Sequence, residues 1–185
     1  MDHDILVSGG GIAGLTATAA FAQAGFNVIC VDPAKPVTVR DAQGADLRST
    51  AFLQPAHALL EEVGLWTRLA PHAQPLQIMR IIDAGGPEPE ARMSKEFDAA
   101  DISDHPFGWN LPNWLLRREM AAHLETLPNV TYKTGVGART LFTRTAEARV
   151  GLSDSTRVSA RLVIAADGRG SPMREAAGIN VSTTR

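Results

Sequence analysis

The sequence predicts an α/β fold in which a central parallel sheet is continued by an antiparallel three-stranded meander. Two groups of apolar segments predict it. Residues 5–7 and 28–31 are short apolar runs typical of buried parallel strands, and a segment rich in alanine and threonine connects them. Later in the chain, residues 140–145, 148–152 and 158–164 alternate between apolar and polar side chains, as the strands of a meander do.

A glycine motif follows the first predicted strand directly. Gly9, Gly11 and Gly14 have the spacing GxGxxG, which permits a tight turn, a close approach of a diphosphate, and close packing of helix and strand. The small side chains of residues 15–24 predict a helix that lies close to the sheet. Asp32 ends the second strand, where a carboxylate can accept hydrogen bonds from ribose hydroxyls. This order predicts a dinucleotide-binding unit rather than a purely structural one, but it does not separate NAD from FAD.

Composition limits the classes of protein and of partner. A chain of 185 residues supports one domain, with or without a small extra lobe. The formal net charge is −2 and the arginines are scattered, which argues against a nucleic-acid partner. A single cysteine, Cys30, excludes an internal disulfide and fits a reducing compartment. We find no signal peptide and no apolar stretch near the ~20 residues of a membrane span, so we expect a cytoplasmic protein. The histidines lack the spacing of metal ligands, so we expect no metal.

The middle of the chain predicts alternating loops and regular elements. Residues 33–46 predict a loop, and residues 52–63 have the apolar spacing of an amphipathic helix. Trp66 is expected in the core. Residues 77–84 predict a strand, whereas residues 87–105 are acidic, poor in large apolar side chains and typical of a long loop.

A further helix is predicted over residues 114–127, after the stretch at residues 107–113. A short strand at residues 130–132 follows it. The side chains expected on the buried face of this helix are Leu116, Met120 and Leu124.

The last apolar strand, residues 162–166, leads into Asp167 and Gly168. An Asp-Gly pair is common in hairpin turns. Here Ser171 is a good N-cap and Pro172 suits the first helical position, so a strand–loop–helix is favoured. In a parallel sheet that arrangement places Asp167 and Gly168 at the carboxyl edge, where such folds bind ligands.

Three motifs together resemble the flavoprotein aromatic hydroxylases related to para-hydroxybenzoate hydroxylase. They are the glycine motif with its acid, Asp46-x-Arg48, and apolar-Ala-Asp167-Gly168-x-x-Ser171-x-x-Arg174. The stretch FGWNLPNWLLR at residues 107–117 is similar to the ubiquinone-biosynthesis subgroup, the 2-octaprenyl-6-methoxyphenol hydroxylase type. The similarity runs in collinear order over essentially the whole chain.

The resemblance implies a Rossmann-like FAD-binding fold with a partial substrate lobe, FAD as the cofactor, and NADH or NADPH as the transient electron donor. It implies roles for Asp32 at the adenosine ribose, where the family usually has glutamate, and for Arg174 as a support of the Asp-Gly motif. By itself, Arg48 would be interpreted as a solvated arginine and Asn113 as a helix cap. The cofactor-binding residues that the resemblance implies are Gly9, Gly11, Gly14, Asp32, Arg48, Asn113, Asp167 and Gly168. No catalytic residue is predicted.

The same resemblance implies how the chain is divided. Residues 1–76 and 111–178 would form a discontinuous FAD-binding domain, residues 77–110 part of a substrate lobe, and residues 179–185 a tail. The later Gly-Asp motif of the family does not occur. We therefore expect roughly the first half of such an enzyme, which would bind FAD weakly by itself.

The function expected is that of a flavin-dependent aromatic-ring monooxygenase in ubiquinone biosynthesis, using NAD(P)H and O2 on a small aromatic substrate, a polyprenylated phenol in its relatives. Such a substrate implies contact with a membrane surface, although no basic amphipathic helix supports that contact. A complementing chain or a homo-oligomer could supply the other half. Two alternatives stay open: another FAD-dependent oxidoreductase of this fold, such as a reductase or halogenase, or a non-catalytic dinucleotide-binding module that needs a partner chain.

Overall fold

A computed structural model describes residues 1–86 and 90–182. The strands are β1 (His3–Ser8), β2 (Val28–Asp32), β3 (Ser49–Leu53), β4 (Gln74–Leu76), β5 (Ile78–Asp83), β6 (Met93–Asp98), β7 (Gly108–Pro112), β8 (Val130–Thr134), β9 (Ala138–Thr143), β10 (Ala148–Leu152) and β11 (Arg157–Ala165). The helices are α1 (Ile12–Gln23), α2 (Gln54–Glu62), α3 (Trp66–Leu69), α4 (Asn113–Leu124) and α5 (Pro172–Ala176). Short 3-10 turns occupy Ala70–His72 and Ala99–Asp101.

The largest sheet has the strand order β8-β2-β1-β11-β10-β9. Its first four strands are parallel, and β11, β10 and β9 form the antiparallel meander. The long strand β11 joins the two parts, because its first half pairs with β10 and its second half with β1. The predicted α/β fold with a parallel sheet and a meander is thus confirmed, and the carboxyl ends of β1, β2 and β11 meet at one edge.

Each face of this sheet carries its own core. On one face, α1 and α4 pack together with α2 and α3, and the predicted face of α4 is buried there: Leu116, Met120 and Leu124 are at most 1% exposed. On the other face, side chains of β1 and β2 pack against the meander and Met173 of α5. Trp66, expected in the core, is half-buried and packs against the first of these clusters.

The helix predicted over residues 52–63 begins later than expected. Ser49–Leu53 is a strand that pairs antiparallel with β7, so that Phe52 lies opposite Trp109 and is buried. The helix starts at Gln54 with a proline in its first turn. The prediction was wrong at this boundary because Phe52 and Leu53 fit a helical apolar pattern, while their strand partner lies more than fifty residues away in sequence.

The long loop predicted over residues 87–105 is also wrong in part. Residues 87–89 lie outside the described residues, but Met93–Asp98 is a strand paired antiparallel with β5. β5 confirms the strand predicted over residues 77–84. Both strands of this two-stranded ribbon are exposed, so the sequence of β6 carries no alternation of apolar and polar residues by which it could be recognised.

Among the described residues, none of the helices combines the length and the apolar character that crossing a membrane requires.

Candidate functional site

A cavity of about 450 Å³ lies at the carboxyl ends of β1, β2 and β11. This volume falls within the range of about 300–1,000 Å³ that is usual for small-molecule sites. Five of the residues predicted from the sequence line it: Gly9, Gly11, Asp32, Asp167 and Gly168. The parallel sheet therefore brings together the glycine turn and the Asp-Gly turn, which are separated by about 150 positions in the chain.

The glycine turn is packed against the end of β11. The amide of Gly9 donates a hydrogen bond to the carbonyl oxygen of Val31 at 2.8 Å, and its φ is +110°. A Cβ atom at Gly9 would collide with the carbonyl oxygen of Ala166, and one at Gly14 would collide with the carbonyl oxygen of Gly9. At Gly11, by contrast, a Cβ atom would meet nothing within 4 Å. Gly9 and Gly14 thus close the turn, whereas Gly11 leaves space above it.

The carboxylate of Asp32 is fixed at the rim of this space by the backbone. Its Oδ2 atom accepts a hydrogen bond from the amide of Gly10 at 2.6 Å, and its Oδ1 atom accepts one from the amide of Ala34 at 2.7 Å. A carboxylate offers about four lone-pair sites, so each oxygen can accept a further hydrogen bond from a ligand hydroxyl. This orientation fits the ribose role implied for Asp32.

Asp167 forms the opposite side of the cavity and is turned toward the start of α5. Its carboxylate accepts hydrogen bonds from Ser8 Oγ at 3.3 Å, from the amide of Met173 at 3.1 Å, and from Ser171 Oγ. Ser171 also caps α5 by accepting from the amide of Arg174 at 3.0 Å. The strand–loop–helix predicted here is confirmed.

Arg174 supports the loop through a different contact. Its Nη1 atom donates a hydrogen bond to the carbonyl oxygen of Arg169 at 3.0 Å. Arg174 therefore contacts the backbone of the residue that follows Gly168, and not the Asp167 side chain.

Arg117 and Tyr132 also line the cavity and were not predicted from the sequence. The Nε atom of Arg117 is buried and lacks a hydrogen-bond partner among the described residues. A signal for it existed, because Arg117 lies three positions before Met120 on the buried face of a predicted helix. An arginine at such a position requires an acceptor.

Tyr132 contacts the glycine turn from β8, the strand paired with β2. Its hydroxyl lies 2.7 Å from the position that a Cβ atom of Gly10 would occupy. Burial is the main cause that raises the pKa of Tyr132 to about 12, with the nearby Cys30 and Asp32 adding to it. The phenol is therefore neutral over the physiological range. The side chains of Lys35 and Arg139 add positive charge at the same cavity.

The remaining predicted residues, Arg48 and Asn113, meet each other in a separate network around Asp46. The Nε and Nη2 atoms of Arg48 both donate to the Asp46 carboxylate at 2.8 Å, and Asn113 Nδ2 donates to it at 3.0 Å. Thr50 Oγ1 donates to Asn113 Oδ1 at 2.7 Å. The hydrogen bonds from Arg48, and then that from Asn113, hold the pKa of Asp46 well below its usual range.

Neither Arg48 nor Asn113 lines the cavity. Asn113 is buried at the start of α4, whereas the Arg48 side chain is exposed. Gly14 lies below the turn rather than in the cavity wall. In the described ranges, no three His, Cys, Asp or Glu side chains are placed to hold a metal ion.

The cavity has groups that suit the adenosine diphosphate part of a dinucleotide. It offers an open space above Gly11, a fixed carboxylate at Asp32, and the guanidinium group of Arg117. The profile of one protein family, described as the FAD binding domain, matches residues 2–185. The chain belongs to this FAD-binding domain family. The sequence-based resemblance to flavoprotein hydroxylases is thereby confirmed, and FAD is the cofactor of the family.

Two proteins with similar sequences are named as hydroxylases. This FAD-binding domain is 34% identical to the ubiquinone hydroxylase UbiL of Rhodospirillum rubrum over 97% of the present chain and 40% of that protein. It is 30% identical to the 3-demethoxyubiquinol 3-hydroxylase of Escherichia coli over 96% of the chain and 44% of that protein. The chain thus spans less than half the length of these relatives.

Solved structures give the same fold. The p-nitrophenol 4-monooxygenase PnpA of Pseudomonas putida matches with a TM-score of 0.77 at 22% identity, over 96% of this chain and 44% of that one. At this level of identity the match establishes the fold of the FAD-binding domain.

Proposed function

We propose that this chain is the FAD-binding portion of a flavin-dependent aromatic-ring monooxygenase that uses NAD(P)H and O2 in ubiquinone biosynthesis. The observation that carries the proposal is the single cavity that joins the glycine turn, Asp32 and Arg117 in a member of the FAD-binding domain family. The names of the relatives from Rhodospirillum rubrum and Escherichia coli support the pathway. FAD, when bound, supplies electron transfer from NAD(P)H and the activation of O2.

The residues of the cavity match the chemical groups of the adenosine diphosphate half of FAD. Gly11 presents backbone and open space to the diphosphate, at the start of the twelve-residue helix α1. Asp32 accepts from the ribose hydroxyls. Arg117 lines the cavity, and its guanidinium group donates to a phosphate oxygen. Asp167 and Gly168 form the wall opposite Asp32.

The flavin half is assigned to the second group of residues. Arg48 forms a bidentate pair with Asp46 at the surface, and the buried Asn113 is held by Asp46 and Thr50. We place the isoalloxazine side of the cofactor toward them. Residues 1–76 and 111–178 form the FAD-binding domain in this proposal, and residues 77–110 form part of the substrate lobe.

The substrate proposed is a small aromatic molecule, a polyprenylated phenol, and the protein is cytoplasmic with peripheral contact to a membrane.

A complementing chain or a second copy would complete the enzyme. An alternative is a binding module that needs such a partner for any turnover. NADH oxidation by the purified chain with added FAD would contradict this alternative.

Substitution of Arg117 by methionine tests the cofactor assignment. Arg117→Met keeps the length of the side chain and removes the donor to the phosphate. We expect FAD and ADP each to bind about tenfold more weakly or worse in an equilibrium titration, with a smaller dependence on salt. Arg118→Met is the matched control, because Arg118 lies next to Arg117 but pairs with Glu119 outside the cavity. Equal affinities of the Arg117→Met and wild-type proteins would contradict the assignment.

A further inference from the structure

Ser8 is a polar residue at the end of an apolar buried strand. It is 3% exposed and follows Ile5, Leu6 and Val7 in β1. Its carbonyl oxygen accepts a hydrogen bond from the amide of Ala166 at 2.8 Å, and its hydroxyl donates to Asp167 Oδ2 at 3.3 Å. The backbone and the side chain of Ser8 therefore both attach the start of the glycine turn to the end of β11.

The Asp167 carboxylate at the other end of this contact is held from two directions. From α5 it receives the hydroxyl of Ser171 and the amide of Met173. From β1 it receives the hydroxyl of Ser8. Without Ser8, the remaining donors are Ser171 and Met173, both on the side of α5, and the carboxylate loses the donor that it receives from β1.

The orientation of this carboxylate matters for an anionic ligand. Asp167 and the glycine turn line the same cavity, which under the proposed function receives the diphosphate of FAD. A carboxylate whose charge is poorly compensated would repel the diphosphate, since like charges in a partly desolvated site interact strongly. The hydroxyl of Ser8, a residue that itself lines the cavity, compensates that charge from the side of β1.

We propose that Ser8 is a positioning residue that fixes the Asp167 carboxylate from the side of β1 and compensates its charge where the anionic cofactor approaches. It acts through Asp167 and joins the two turns that form opposite ends of the cavity. The inference rests on the proposed function of FAD binding, and it adds a residue that the glycine motif itself does not include.

A double-mutant cycle on the whole chain tests this role, with ADP and FAD as the titrated ligands. We expect Ser8→Ala to weaken binding about three- to tenfold, and Ser8→Thr, which keeps the hydroxyl, to restore most of the affinity. In an Asp167→Asn background, Ser8→Ala should change the affinity less than about twofold, because no charge remains to be compensated. A residue that only supports the fold would cause the same loss in both backgrounds.

Ser159→Ala is the matched control. Ser159 lies near the opposite end of β11, and its hydroxyl donates to Asp2 Oδ2 at 3.0 Å, so the variant removes a serine–aspartate hydrogen bond far from the cavity. We expect unchanged affinity. If Ser8→Ala unfolds at the assay temperature, Ser8→Cys, which is a much weaker donor of similar size, takes its place with the same expected loss.

The outcomes separate the two proposals. Failure of the wild-type protein to bind either ligand contradicts the proposed function. Wild-type binding together with undiminished binding by Ser8→Ala overturns the role of Ser8 alone. An equal loss in the Asp167 and Asp167→Asn backgrounds also overturns it, because Ser8 would then not act through the carboxylate.

Discussion

The cofactor cavity and the ribbon of β5 and β6 differ in how the chain covers them. The cavity is formed by glycine backbone and by side chains that hydrogen-bond to buried strand ends. The ribbon carries large apolar side chains in solvent, with Ile81 51% and Met93 60% exposed. An isolated two-stranded ribbon is marginally stable in water. The cavity is therefore shaped by contacts within the described chain, whereas the ribbon presents apolar surface to solvent.

Substitutions in the two regions should therefore have different effects. In the cavity, backbone atoms approach each other so closely that one methyl group changes the fold or the ligand site. In the ribbon, the removal of apolar atoms changes little, because these side chains are already about half exposed to water.

The largest effect is expected for Gly14→Ala. Helix propensity alone predicts that alanine within α1 stabilises the fold by about 1 kcal/mol. The added Cβ atom collides instead with the carbonyl oxygen of Gly9, a backbone atom that cannot move without opening the turn. We expect the free energy of unfolding to fall by about 3 kcal/mol or more in a urea titration.

Gly11→Ala provides the control for that measurement within the same motif. Gly11 has a φ of −74° and open space at its Cβ position, so alanine should change the free energy of unfolding by no more than about 1 kcal/mol. Equal stability of the Gly14→Ala and Gly11→Ala variants would contradict the packed turn described here.

The next effect concerns Tyr132, the single tyrosine of the chain. Because its pKa rises to about 12 in the folded protein, ultraviolet absorbance should show phenolate formation near pH 12 instead of the ordinary value of 10.0. The native state holds this proton more tightly than the unfolded state. The corresponding stability is therefore complete below pH 10 and is lost as the pH rises through about 12.

The same absorbance titration of the unfolded protein in denaturant gives the reference value. In the unfolded chain the absorbance midpoint should return to about 10. A midpoint of 10 in the folded protein as well would show that Tyr132 is solvated, and that the cavity wall is as open as the ribbon.

The smallest effect is expected in the ribbon. Ile81→Thr removes apolar atoms that are half in solvent, so the free energy of unfolding should change by about 0.5 kcal/mol or less. The same substitution in β2, Ile29→Thr, places a hydroxyl at a position that is 4% exposed and should cost about 2 kcal/mol or more. Similar losses for the two variants would mean that the ribbon is covered in solution.

The sequence predicts the part of the site that depends on local order along the chain. A strand, three spaced glycines, a helix and an acid were sufficient to place Gly9, Gly11 and Asp32 together. Asp167 could be added because apolar parallel strands end at a common edge, and because Ser171 and Pro172 indicate a following helix rather than a hairpin.

Other parts depend on pairing between distant segments, and these were missed. Tyr132 reaches the glycine turn only through the pairing of β8 with β2, which places it opposite Cys30. Strand β6 is exposed on both faces and lacks a periodic pattern. Arg48 and Asn113 were predicted as cofactor residues, and their assignment to the flavin remains a prediction, since the structure places them in the Asp46 network outside the cavity.

The central claim is that the space above Gly11 receives the diphosphate of FAD. Calorimetric titration with FAD of the wild-type protein and of Gly11→Val tests it most directly, because valine would fill that space while meeting no protein atom within 4 Å of its Cβ position. We predict saturable binding of one FAD to the wild-type protein and its loss in a Gly11→Val variant that unfolds at the same temperature. Equal titration curves for the two proteins, or the absence of binding to the wild-type protein, would contradict the claim.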